Sequence, residues 1–99
     1  MAKMKAGDAI SHILKREGVE YVIGYPMNHI LELVAKIDVR PIIVRQERIG
    51  LHMADAVSRV TSGKKIGVFA MQHGPGTENA YGGVGQAYSE SIPILVMPM

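Results

Sequence analysis

Apolar residues along this 99-residue chain fall into two alternating rhythms. From Gly7 to Glu17, Ile10, Ile13 and Leu14 recur at helical spacing, and Gly18 supplies a natural stop. The segment VEYVIGYP then predicts a short buried strand over Tyr21 to Ile23, ended by Gly24 and Pro26. Asn28 can cap a second helix, with Ile30, Leu31, Val34 and Ile37 on one stripe. PIIV, residues 41–44, predicts a second strand. A third helix should follow, with Ile49, Met53, Ala56, Val57 and Val60 lining its buried face and Gly63 closing it. IGVFAM predicts a third strand, TENAYGGVGQAYSE a fourth helix, and PILVMPM a fourth strand.

Apolar strands separated by amphipathic helices predict an α/β fold: a mainly parallel sheet with helices on both faces, in three layers. No linker or repeat divides the chain, so residues 1–99 form part of one domain with no internal boundary. The sequence stops on a buried-type strand, which predicts a fragment, or a half-domain completed by a partner.

In parallel sheets ligands bind beyond the carboxyl ends of the strands. Three segments lie there: GYPMNH (24–29), RQER (45–48) and MQHGPGTEN (71–79). Glu47 is the anomaly, a carboxylate at the tip of what the pattern makes a central-type strand. It can be a surface charge favoured by the helix dipole and flanked by Arg45 and Arg48, or a group placed to exchange a proton with a bound heterocycle. HGPGTEN (73–79) leads into a helix whose free N–H groups could meet an anion, but Asn79 stands where a dinucleotide fingerprint needs glycine. A tight turn with no ligand is the other reading. Gly82, Gly83 and Gly85 within the fourth helix predict close packing, against the sheet or a second subunit.

Composition narrows the classes. With no cysteine, disulfides and thiolate metal sites are out. His12, His29, His52 and His73 do not form a metal-ligand spacing, so no metal site is expected. A net charge of +2 from scattered lysines and arginines gives no basic stripe for nucleic acid. Neither a signal peptide nor a bilayer-length apolar run is visible, and a cytoplasmic protein is expected.

Three stretches taken together, GVEYVIGYP (18–26), RQERIGLHMADAVSRVTSGKKIGV (45–68) and GPGTENAYGGVGQAYSESIPILV (74–96), carry a resemblance. The chain resembles the front portion of the N-terminal, pyrimidine-binding domain of thiamine-diphosphate-dependent enzymes, in the branch of acetolactate synthases and 2-oxo-acid decarboxylases. The resemblance implies that Glu47 hydrogen-bonds N1′ of the aminopyrimidine and favours the imino tautomer, which removes the proton from thiazolium C2. It implies that Pro26, His73, Gly76 and Asn79 line the cofactor beside Glu47. It also implies that a separate domain, absent from this chain, holds the diphosphate and Mg²⁺ on a Gly-Asp-Gly motif. The expected partners are a 2-oxo acid substrate and a second copy or complementary diphosphate-binding domain, and the segment alone should be inactive. The sequence departs from the family pattern at Met27, Ala56-Val57-Ser58, His73 and Pro98-Met99. The competing expectation is a non-catalytic α/β module that binds a partner or nucleotide.

Overall fold

The structure, a computed structural model, describes residues 3–26 and 28–99, so the departure at Met27 lies outside the described residues. Among the described residues four helices and four strands alternate: α1 (Ala6–Arg16), β1 (Tyr21–Gly24), α2 (Ile30–Ala35), β2 (Arg40–Ile43), α3 (Glu47–Val60), β3 (Gly67–Met71), α4 (Pro75–Ser89) and β4 (Ile94–Pro98). All strand pairs are parallel, in the order β2-β1-β3-β4. The chain winds outward from β1 to β2 and then crosses back to β3, so β1 and β3 flank the point where the winding reverses. Gly18, with φ of +83°, takes the left-handed turn that ends α1, as its position predicts.

Alternating side chains of β3 feed two cores. Val68 and Ala70 join Leu14, Val22, Ile30, Leu31, Val34 and Val39 under α1 and α2. Phe69 and Met71 join Ile23, Val44, Leu51, Ala54 and Ala80 under α3 and α4. The three-layer α/β expectation therefore holds. Only β3 is buried along its whole length; β2 and β4 are half-covered edges. The reading of the strand before Glu47 as central-type is corrected, because β2 pairs with β1 alone.

The buried face of α3 also differs from the expected one. Gly50, Leu51, Ala54, Asp55 and Ser58 face inward, whereas Ile49, Met53, Ala56 and Val60 are exposed and Val57 is half-buried. The reason is distance. A Cβ on Gly67 would fall 1.8 Å from the Ala54 carbonyl oxygen, and one on Gly50 would fall 2.3 Å from the Phe69 ring. A helix lying this close to a sheet takes small residues where it crosses, at Gly50, Ala54 and Ser58, while Leu51 is buried toward Gly83 of α4, so the stripe of Ile49, Met53 and Val60 turns outward.

Asn28 ties the carboxyl edge of the sheet together. Its Oδ1 accepts from the Ile30 N–H at 3.0 Å, the capping role its position predicts. Its Nδ2 donates to the carbonyl oxygens of Met71 at 3.0 Å and Met97 at 3.2 Å, holding the ends of β3 and β4 at fixed height.

Candidate functional site

The Val44 N–H donates to the Gly24 carbonyl at 3.0 Å and carries the β1–β2 ladder one residue beyond β2. Gln46 keeps an extended backbone (φ −146°, ψ 143°), and Glu47 is the first residue of α3. On the neighbouring connection, Gly74 adopts φ of +71° and hands over to Pro75, whose fixed φ and missing N–H suit the first helical position of α4. The two helices then run in contact. A Cβ on Gly83 would lie 2.5 Å from the Leu51 side chain, so glycine is needed there for α4 to approach α3. Among the described residues a Cβ on Gly82 or Gly85 would meet nothing within 4 Å, and the close packing expected of all three glycines falls to Gly83, against α3 rather than the sheet.

This approach brings the first turns of both helices to one place. Asn79 Nδ2 donates to Glu47 Oε2 at 3.2 Å. A Cβ on Gly76 would lie 3.6 Å from Glu47 Oε1. Glu47 is 8% exposed and so is not a surface carboxylate. Beside it lies a cavity of about 430 Å³ lined by Gln46, Glu47, Arg48, Glu78, Asn79 and Gly82. The flanking arginines do not neutralise Glu47: among the described residues neither pairs with it, and Arg48 Nη2 instead donates to Gln46 Oε1 at 3.4 Å. The helix N-terminus favours the negative charge, by roughly 0.3–1 kcal/mol for such placements. Among the described residues Oε1 accepts no hydrogen bond, and no sealed-off polar side-chain atom lacks a partner, so Oε1 is unbonded and keeps some solvent access on the side of Gly76. The site thus offers one anchored and one free carboxylate oxygen in a partly desolvated place, where a hydrogen bond to a ring nitrogen is stronger than in water.

The other predicted residues are near but apart. Pro26 follows β1 and His73 follows β3, both exposed at the same carboxyl edge, and neither lines this cavity. The His73 N–H donates to the Met99 carbonyl at 3.2 Å. Among the described residues no group of three His, Asp or Glu side chains could hold a metal.

Sequence reasoning missed Gln46 and Glu78 as lining residues, and it missed the clamp at the far end of α3. There Arg59 Nε donates to Asp55 Oδ1 at 2.8 Å and Nη2 to Oδ2 at 3.2 Å, and the guanidinium also pairs with Glu90, just beyond α4. Hydrogen bonds to Asp55 first, and to Glu90, raise the guanidinium pKa above the usual arginine value, so this clamp stays charged. The signal was the i,i+4 spacing of Asp55 and Arg59.

The family described as "Thiamine pyrophosphate enzyme, N-terminal TPP binding domain" matches residues 4–99. An acetolactate synthase large subunit of Haemophilus influenzae is 36% identical over 101 residues, which cover 98% of this chain and 17% of that protein. The acetolactate synthase isozyme 3 large subunit of Escherichia coli is 34% identical over 103 residues, covering 98% and 17%. A probable 2-ketoarginine decarboxylase of Pseudomonas aeruginosa is 39% identical over 97 residues, covering 95% and 17%. The chain therefore spans about one sixth of the length of these relatives.

Proposed function

The chain belongs to the thiamine pyrophosphate enzyme family, matching its N-terminal TPP-binding domain, and from that premise we propose that residues 1–99 are the front portion of a pyrimidine-binding domain in an enzyme that makes or breaks a C–C bond next to the carbonyl of a 2-oxo acid. The observation that carries this reading is the Glu47 carboxylate, 8% exposed, beside a polar cavity, with Oε2 on Asn79 and Oε1 unbonded. A free acceptor in that setting fits the nitrogen edge of an aminopyrimidine, and Gly76 leaves space beside it that a side chain would narrow.

When bound, thiamine diphosphate supplies a carbon nucleophile and an electron sink for decarboxylation. Glu47 would hold the ring nitrogen through its unbonded carboxylate oxygen and so set the protonation state of the pyrimidine. Gly76 and Asn79 would hold the ring beside Glu47, and Pro26 and His73, at the same carboxyl edge but outside the cavity, would meet its reactive side. The diphosphate and Mg²⁺ belong to a complementary domain, on the same polypeptide or on a second copy. The partners in this reading are a small 2-oxo acid and that complementary domain or copy, with no nucleic acid or membrane. No described helix is long and apolar enough to cross a membrane, and a cytoplasmic enzyme is our reading. The relatives named as acetolactate synthases and as a decarboxylase support a 2-oxo acid as substrate class.

The test is CO₂ release from a panel of 2-oxo acids by the protein assembled with a diphosphate-binding domain. Release that requires both thiamine diphosphate and Mg²⁺ is expected, and none from the 99-residue chain alone. An assembly that binds thiamine diphosphate but turns over no 2-oxo acid contradicts the proposal.

A further inference from the structure

We propose that Asn79 is a positioning residue for Glu47: it fixes the carboxylate plane so that Oε1 faces the space beside Gly76. This rests on the reading of Glu47 given above. The terminal torsion of a glutamate is soft and roughly two-fold, so burial alone does not fix which oxygen faces the cavity. Asn79 Nδ2, 3.2 Å from Oε2, is the one hydrogen-bond donor to this carboxylate among the described residues. Its own place is set by α4, which Gly83 seats against Leu51 and which Arg59 and Glu90 clamp at the other end. Asn79 is itself exposed and contributes little to either core, so its amide is free to serve Glu47.

The donor type matters. An arginine or lysine at this position would pair with the carboxylate and weaken it as a proton acceptor, whereas a neutral amide orients it and leaves its charge in place. Arg45 and Arg48 stand within two residues of Glu47 in sequence yet form no ion pair with it. The site keeps cations off this carboxylate and gives it an amide.

The test is a double-mutant cycle in the assembled protein loaded with thiamine diphosphate and Mg²⁺. Its readouts are hydrogen–deuterium exchange at C2 of bound cofactor, cofactor affinity by calorimetry, and Tm. Loss of a group that orients a functional side chain costs roughly 10–100-fold. Asn79→Ala is therefore expected to slow exchange by about tenfold or more, with a smaller change in affinity and an unchanged Tm. Asn79→Asp, the same shape without the donor and with a like charge, should be slower still. On a Glu47→Gln background, Asn79→Ala should add no further loss, because residues acting through one another are not additive. Full additivity overturns the proposal, as does wild-type exchange in Asn79→Asp, or a loss confined to affinity, which would mark Asn79 as a direct cofactor contact only. If Glu47→Gln alone leaves exchange unchanged, the reading of Glu47 itself fails, an outcome distinct from failure at Asn79 alone.

Discussion

A single polar side chain can be legible at one end and opaque at the other, and Asn28 is the example. Its capping bond to the Ile30 N–H was readable from the adjacent sequence, because a cap acts over two or three residues. Its amide donates across 43 and 69 residues to Met71 and Met97, and nothing local in the sequence announces that. Asn28→Ala removes two buried side-chain hydrogen bonds, to Met71 O and Met97 O. A hydrogen bond of this kind contributes about 0.5–1.5 kcal/mol, so the substitution should lower Tm by several degrees in a thermal melt. A melt identical to wild type would mean that water takes over the bonds. Glu47 stood out for the opposite reason: a carboxylate after three apolar β-formers breaks the local pattern, and such breaks are expected at functional places. Its partner Asn79 came only from the resemblance.

At the scale of elements, type and order were readable throughout, because each helix and strand follows its own apolar period. The rotation of α3 was not. Periodicity favours the stripe with the largest apolar residues, Ile49, Met53 and Val60, but the sheet accepts the small stripe of Gly50, Ala54 and Ser58. The clue was Gly67 at the start of β3, whose meaning depends on a helix crossing it. Gly67→Ala forces a methyl against the Ala54 backbone, and overpacking of this kind typically costs 1–3 kcal/mol. Gly85→Ala, in open space on α4, should instead be neutral or stabilising by up to about 1 kcal/mol through helix propensity. Paired denaturant titrations measure both. Equal effects would contradict the close α3–β3 approach.

For the whole molecule, the two edge strands and the outward stripe of α3 are the features that a single chain leaves uncovered. Val60 is 81% and Tyr88 87% exposed, and Ile49 and Met53 lie along the same outer side of α3. We read this apolar stripe as a contact for a partner surface. Val60→Glu combined with Met53→Glu should therefore shift light scattering toward smaller species while Tm changes little. Unchanged scattering across a concentration series would remove this stripe as a contact. The apolar period of the sequence marked β4 as a strand with a half-covered face. It could not say that α3 also presents one, because that follows from the helix rotation.

In the assembled protein, the proposed role of Glu47 in proton transfer can be read on the cofactor itself. Glu47→Gln keeps shape and burial but cannot share the proton. Hydrogen–deuterium exchange at C2 of bound thiamine diphosphate should fall by roughly 100-fold or more, the usual scale for a positioned acid–base group, while the melting curve stays in place. Unchanged exchange would reduce Glu47 to a dipole-stabilised carboxylate, and a collapsed melt would make its role structural; either result contradicts the account.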